Sequence, residues 1–359
     1  MRFPGFSDEW KRTTLNEVTD FIKERVNTSC LQDNYISTEN LIGNFGGVQT
    51  AISIPSDTNV THFKKGDVLV SNIRPYLRKV WFADKEGGCS ADVFVFRAKG
   101  IEPSFLYNTI ANDCFINYVM SGAKGVKMPR GDKQQMLKYP FFVPSIEEQR
   151  RISSLLSLLD KRIATQNKII EDLKKLKSAI IDVVFSSLTG RLASLGDVAE
   201  IIKGKQVNGE FLSDDGEYYV MNGGVEPSGY YHSFNTPANT ISISEGGNSC
   251  GYIQWNNSSF WSGGHCYTLR ILDSNIENKY LYHLLKWREV EIMKLRIGTG
   301  LPNIQKKDLA KVTVVMPSSA IQNKVISLLD SIDNKIKIEI NLSFLYLRQK
   351  AYLLSKMFI

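Results

Sequence analysis

The side chains with the means to do chemistry gather in short basic and amide-bearing clusters beside turn residues. In the first half, Arg74-Pro75-Tyr76-Leu77-Arg78-Lys79 follows an apolar run, and Lys124-Gly125-Val126-Lys127-Met128-Pro129-Arg130 forms a cationic loop around a glycine. In the second half, Lys203-Gly204-Lys205-Gln206-Val207-Asn208 and Asn248-Ser249 offer cations and amides, Lys306-Lys307 adds two charges, and His265 stands just before a strand-like run. Lysine and arginine neutralise phosphates, whereas guanidinium, amide and aromatic groups can meet base edges. The candidate contacts to such a ligand are Arg74, Tyr76, Arg78, Lys79, Lys124, Lys127, Arg130, Lys203, Lys205, Gln206, Asn208, Asn248, His265 and Lys306.

No catalytic residue is assigned beside them. There is no GxxxxGK[ST] loop and hence no nucleotide motor, and neither Asn-Pro-Pro-Tyr nor Phe-x-Gly-x-Gly occurs, which argues against an adenine methyltransferase site. Gly204-Lys205 and Gly246-Gly247-Asn248 read as tight turns between strands rather than phosphate cradles. His62, His232, His265 and His283 lack a matching acid and nucleophile. Cys30, Cys89, Cys114, Cys250 and Cys266 lie far apart, without metal-ligand spacing, so no metal is expected and reduced thiols are. The formal net charge of +7 and the pI near 9.0 favour a polyanionic partner. The N-terminus has no apolar core and no run approaches a membrane span, so a cytoplasmic protein without membrane contact is expected.

The elements that must position these clusters occur twice. Pro129 aligns with Pro302, a displacement of 173 (302 − 129), and the match runs without a gap to Phe185 and Phe358. Identical pairs include Lys133/Lys306, Pro144/Pro317, Gln149/Gln322, Leu156/Leu329, Asp160/Asp333 and Ile163/Ile336. Each copy ends in a long helix. From 146 to 185, apolar residues at 152, 156, 159, 163, 170, 173, 180 and 184 trace a heptad seam with Gln166 and Lys177 in the skipped slots. The second copy repeats this with Val325, Leu329, Ile332, Ile336, Tyr346, Leu353 and Met357. Lys174, Lys175 and Lys177 read as a solvated or partner-facing charge cluster.

Between the helices lie two globular segments, roughly 12–142 and 192–315. Both open alike, with Leu15-Asn16-Glu17-Val18 and Leu195-Gly196-Asp197-Val198. Strand-like runs at 66–71, 92–97, 240–244 and 266–270 precede helical stretches at 104–120 and 278–296. The expected fold is α+β: a first globular domain over 1–143, a central helix over 144–189, a second domain over 190–316 and a C-terminal helix over 317–359. The two helices are expected to pair as an antiparallel coiled coil in a pseudo-twofold molecule. Similar ends with dissimilar middles describe one scaffold presenting two surfaces, and a pseudo-twofold basic molecule suits duplex DNA.

With its duplicated Pro-Ser…Gln…Leu-Leu…Asp helices, its paired opening elements, Gly66-Asp67-Val68-Leu69-Val70 and the pre-helix loops at 125–129 and 298–302, the chain resembles the specificity subunits of type I restriction–modification systems. The resemblance covers essentially the whole chain. It implies two target recognition domains, each reading half of a split asymmetric DNA sequence, on paired helical spacers. It further implies two modification (methyltransferase) subunits and restriction (motor-nuclease) subunits as partners. S-adenosylmethionine, ATP and Mg are then expected on those partners, with no cofactor and no catalysis in this chain. The second domain is lean, and a ring-closing tail after the last helix is expected to be minimal. The alternatives are a coiled-coil scaffold and a stand-alone DNA-binding protein outside restriction–modification.

Overall fold

The computed structural model describes residues 3–31, 34–51, 53–125, 127–298 and 300–357. Val126, Thr299 and Phe358, named above in the loops and the repeat, lie outside the described residues. The chain divides into two compact units, one of residues 1–167 with 341–359 and one of 168–340. Their boundaries fall inside the helices Ile146–Ser187 and Ser319–Met357, so each globular part shares its unit with half of each long helix.

In the first unit, the four-stranded antiparallel sheet runs in the order Thr19–Phe21, Val93–Ala98, Val68–Ser71, Val80–Phe82. Val68–Ser71 is buried throughout, as an inner β-branched strand should be. A second sheet of Arg25–Asn27, Asn59–Phe63, Gly87–Cys89 and Tyr35–Ile36 packs the divergent middle. The stretch expected as one helix at 104–120 is two, Pro103–Ile110 and Asp113–Ser121. The break is at Asn112, whose extended backbone and side chain cap the second helix by accepting from the Cys114 N–H (3.0 Å). Phe96, Phe105, Leu106 and Phe115 close the core over Ile152 and Leu156 of the central helix and Met357 of the C-terminal one.

The second unit repeats the plan. Its sheet runs Ala199–Lys203, Cys266–Ile271, Thr240–Ser244, Ile253–Asn256, followed by the helices Asn278–Trp287 and Glu289–Met293. Tyr280, Leu281 and Leu285 meet Phe185, Val325 and Leu329 in its core. The middle differs: here a small sheet of Tyr230–Tyr231, Tyr218–Met221 and Trp261–Ser262 replaces the second sheet of the first unit.

Strand register extends the repeat well beyond the stretch legible in sequence. Val70 pairs with Phe94 and Val80; Ile243, 173 positions on (243 − 70), pairs with Tyr267 and Ile253 at the same displacement. Only the opening elements differ in spacing. The one-turn helices Leu15–Val18 and Leu195–Val198 are 180 apart (195 − 15), each closed by a capping box, Thr14 with Glu17 and Ser194 with Asp197. Both carboxyls are held below their ordinary range by these bonds, Glu17 chiefly by the Thr13 hydroxyl and Asp197 by that of Ser194. The second copy is therefore shorter by seven residues (180 − 173) between its opening and its first inner strand.

Within each unit the long helices pack antiparallel. In the first, Asp160 pairs with Lys350, Arg162 donates to the Tyr346 hydroxyl (2.8 Å) and Asn167 accepts from the Ser343 hydroxyl (2.9 Å). Partner numbers fall as helix numbers rise, which defines the direction. In the second unit Lys177 pairs with Asp333. Polar slots of the helix pair are filled too: Gln166 and Ser343 are buried in the first unit and Glu339 in the second. Of the cluster expected to face solvent or a partner, Lys174 and Lys175 are exposed, whereas Lys177 is half-buried and pairs within the chain. Its stem lies in the seam and its ammonium reaches out to a carboxylate, the usual compromise for a long cationic chain. Lys350 and Asp160 are the repeat equivalents of Lys177 and Asp333, so one ion pair recurs in both units.

The two glutamines of the repeat, Gln149 and Gln322, have a matching role. The Gln149 amide accepts from the Glu102 N–H (2.8 Å) and donates to the Pro144 carbonyl (2.8 Å). That of Gln322 accepts from the Glu277 N–H (2.8 Å) and donates to the Asn275 (2.7 Å) and Pro317 (2.9 Å) carbonyls. Each glutamine stitches a spacer helix to its own globular part at a proline that ends the preceding strand.

Candidate nucleic-acid interface

In the first unit the candidate surface is built where the strand Val68–Ser71 ends. Arg74 and Arg78 both adopt left-handed backbone (φ 49° and 55°) around the 3-10 turn Pro75–Leu77. Non-glycine residues rarely hold this conformation, and it costs about 1 kcal/mol or more unless neighbours enforce it. Here they do. The Arg74 N–H donates to the Pro129 carbonyl (2.8 Å), and the Leu77 and Arg78 carbonyls accept from Asn44 and Phe45 (2.9 Å each). Three segments thereby converge: residues 43–47, 74–79 and 124–130. The first was missed in sequence, although Gly43-Asn44-Phe45-Gly46-Gly47 carries an evident turn composition.

The candidate side chains on this surface are not equally free. Arg74 is exposed and forms no ion pair among the described residues, and Lys127 is likewise exposed. Tyr76 is 48% exposed, a large ring left in solvent. Arg78 pairs with Asp113 (2.8 Å) and donates to Asn44 (3.3 Å). Arg130 pairs with Asp92 (3.4 Å) and Lys124 with Asp132 (3.3 Å), both largely solvated and so weak enough to be exchanged for a phosphate. Lys79 is different: its ammonium donates to the Thr38 carbonyl (2.6 Å), a tie within the fold.

In the second unit the loop at 203–208 lies against 262–265. A side chain at Gly204 would strike the carbonyls of Gly263 and Ser262, so only glycine allows that approach. Lys205, Gln206, Asn208, Asn248 and Lys306 are exposed. Among the described residues Gln206 and Asn208 make local bonds, to the Val207 carbonyl and Glu210. Lys203 donates to Glu245 (2.7 Å), and His265 Nδ1 lies 3.7 Å from the other oxygen of that carboxylate. Glu245 is 8% exposed and also accepts from the Tyr267 hydroxyl (3.1 Å). Nothing in the local sequence marks it, because its partners come from two other strands, Lys203 from one and Tyr267, with His265 in the turn before it, from another. An aromatic group adjoins the cations: Trp261 donates to the Lys205 carbonyl (2.7 Å) and meets Tyr231 edge-on.

Among the described residues no group of three or more His, Cys, Asp or Glu is placed to hold a metal ion. Burial pushes the Cys89 thiol up to about 12 and that of Cys266 up to about 11, so both stay protonated and unreactive. No helix among the described residues is long and apolar enough to cross a membrane. The arrangement offers cations, amides and rings on a rigid frame, which is equipment for binding.

Two α+β units, each a sheet-based domain fused to half of an antiparallel helix pair and each displaying its own polar loops, define a duplicated recognition protein. The family model for the type I restriction modification DNA specificity domain matches residues 7–175 and 192–343, and the chain belongs to that family. A putative type I specificity subunit of Mycoplasma pneumoniae is 37% identical over 135 residues, covering 37% of this chain and 36% of the relative. One of Mycoplasma genitalium is 34% identical over 127 residues, 35% of this chain and 33% of the relative. The EcoDI specificity subunit of Escherichia coli is 25% identical over 192 residues, 51% and 43% of the two chains. The matched stretch thus spans about a third of the length of the two mycoplasma relatives. The crystal structure of the type I restriction-modification S subunit from M. genitalium has the same fold, with a TM-score of 0.68 at 20% identity over 98% of this chain and 96% of that one.

Proposed function

We propose that this chain is the sequence-recognition subunit of a type I restriction–modification enzyme. Each unit binds one half of a bipartite, asymmetric duplex site. The observation that carries this reading is the pairing of a common frame with divergent polar surfaces: three strands of each main sheet pair in the same register at one constant displacement, while the loops at their ends carry different cations, amides and rings. A frame kept twice with its surface changed twice suits a ligand whose two halves share a backbone and differ in bases. The spacer helices present exposed apolar residues, among them Leu158 (61%), Leu176 (52%) and Leu345 (57%), which suits docking of two modification subunits, with restriction subunits joining that core. S-adenosylmethionine, ATP and Mg belong on those partners. The chain itself catalyses nothing and works in the cytoplasm.

The test is reconstitution. Alone, the purified chain should neither methylate DNA nor cleave it nor hydrolyse ATP. With its cognate modification subunit it should direct adenine methylation to a split site, mapped by methylome sequencing. Binding should weaken steeply with salt, because each phosphate contact releases counterions. Methyl transfer by the isolated chain, or a complex that methylates without sequence preference, would overturn the reading.

A further inference from the structure

Three side chains in each unit stand on backbone pinned in the same way. In the first unit the Asn72 N–H donates to the Asp92 carbonyl (2.9 Å), the Gly131 N–H donates to the Asn72 carbonyl (2.7 Å), and Ile73 bridges to Arg130. In the second, the Glu245 N–H donates to the His265 carbonyl (2.9 Å), the Ile304 N–H donates to the Glu245 carbonyl (2.9 Å), and Gly246 bridges to Asn303. The loop closures agree as well: Gly125 and Gly298 hold φ of 94° and 95°, and the Lys124–Arg130 and Ile297–Asn303 bridges match. Positions 72, 92 and 130 are therefore the equivalents of 245, 265 and 303, established by main-chain bonds that owe nothing to side-chain identity.

The side chains nevertheless differ at all three, Asn, Asp and Arg against Glu, His and Asn. The outer two are accessible: Asp92 and Arg130 are 38% and 57% exposed, His265 is 65% exposed and Asn303 is exposed. The inner one is 8% exposed in both units, and in both it carries a buried oxygen without a hydrogen-bond partner, Asn72 Oδ1 and Glu245 Oε2. Such an atom is rare in a folded protein and calls for an explanation. Six such atoms occur among the described residues, and of these only Asn72 Oδ1 and Glu245 Oε2 share a frame position.

We propose that these positions set the base choice of each unit. The outer residues meet base edges, and Asn72 and Glu245 are positioning residues beneath them. In the second unit Glu245 holds the Lys203 ammonium through Oε1, and its unpartnered Oε2, 3.7 Å from His265 Nδ1, lies where it orients the imidazole by charge rather than by a hydrogen bond. Arg130 suits the paired acceptors of guanine, and Asn303 the donor and acceptor of adenine. This rests on the reading of the chain as a DNA-recognition subunit.

The outer residues are exposed, so exchanging them between units does not endanger the fold. Asp92→His with Arg130→Asn, and separately His265→Asp with Asn303→Arg, are compared with wild type in the reconstituted methyltransferase on a randomised DNA library. Each pair should change the preferred base at one or two positions of one half-site, by roughly five- to a hundred-fold, and leave the other half-site unaltered. Glu245→Gln, tested for unchanged melting, should relax the same base positions as His265→Asn, with non-specific binding and its salt slope kept. Variants that keep the wild-type preference at both half-sites would overturn this proposal while leaving DNA recognition intact. A wild-type complex with no sequence preference would overturn the underlying reading as well.

Discussion

Replacing Gln322 by leucine tests the stitch between spacer helix and globular part. Gln322 is 0% exposed, and leucine roughly matches its volume while removing the amide. Three main-chain groups lose a partner. The Pro317 carbonyl is buried, so its loss costs about 1–3 kcal/mol. The Glu277 N–H and the Asn275 carbonyl are partly solvated, and each costs about 0.5–1.5 kcal/mol. The expected destabilisation is thus about 2–6 kcal/mol, confined to the second unit. Gln149→Leu removes one buried and one partly solvated bond, so about 1.5–4.5 kcal/mol is expected in the first unit. A chain of two units does not unfold in one step, so the assay is hydrogen exchange read by mass spectrometry, which localises the loss. Exchange should accelerate in peptides spanning 272–281 and 315–325 for Gln322→Leu, and in those spanning 100–106 and 142–152 for Gln149→Leu. Protection unchanged within about 0.5 kcal/mol would mean that water replaces the amide, and the reasoning would fail.

Four further outcomes are expected. A double-mutant cycle on Lys177 and Asp333 should give a coupling of about 0.5–1 kcal/mol, modest because the carboxylate is 43% exposed, and the cycle on Lys350 and Asp160 should match it; native-state hydrogen exchange measures each within its own unit. Arg74→Ala should weaken DNA binding by about 1–3 kcal/mol with relaxed preference in one half-site if it reads a base, or lower the salt slope by about one if it contacts a phosphate; Lys79→Ala should do neither, since its ammonium is tied to Thr38. Burial holds the His283 imidazole below its ordinary value of 6.5 against the opposing bond to Asp330 (3.1 Å). The folded state then prefers the neutral ring, so its contribution is full above that value and declines as pH falls through it, and His283→Gln should flatten that part of the stability–pH curve. Exchanging residues 12–142 for the equivalent domain of a relative should change one half-site alone, as methylome sequencing would show.

Much of this protein was legible in the sequence. The helix seam shows within a single segment, because its period is local: apolar residues at steps of three and four need only one helix to be recognised. The gapless repeat from Pro129 onward is likewise visible, since the helix, the glutamine stitch and the Asp of the ion pair all constrain identity as well as type. The cationic loops declared themselves by composition. The strand runs at 66–71 and 92–97 have legible counterparts at 240–244 and 266–270, but their register is not visible in sequence. The inner strands Val68–Ser71 and Thr240–Ser244 are buried on both faces, so any apolar side chain serves, Val70 and Ile243 can hold the same place among quite different neighbours, and only main-chain pairing displays the shared displacement. Side-chain assignments were the least legible. Lys79 and Lys177 look like any surface lysine until the fold brings up the Thr38 carbonyl and Asp333 from 41 and 156 residues away. Glu245 stands out only once the paired strands Ala199–Lys203 and Cys266–Ile271 bring Lys203, His265 and Tyr267 around it. Local periodicity and composition are written along the chain, whereas the partner of a particular charge is a non-local contact that exists only once the strands are paired.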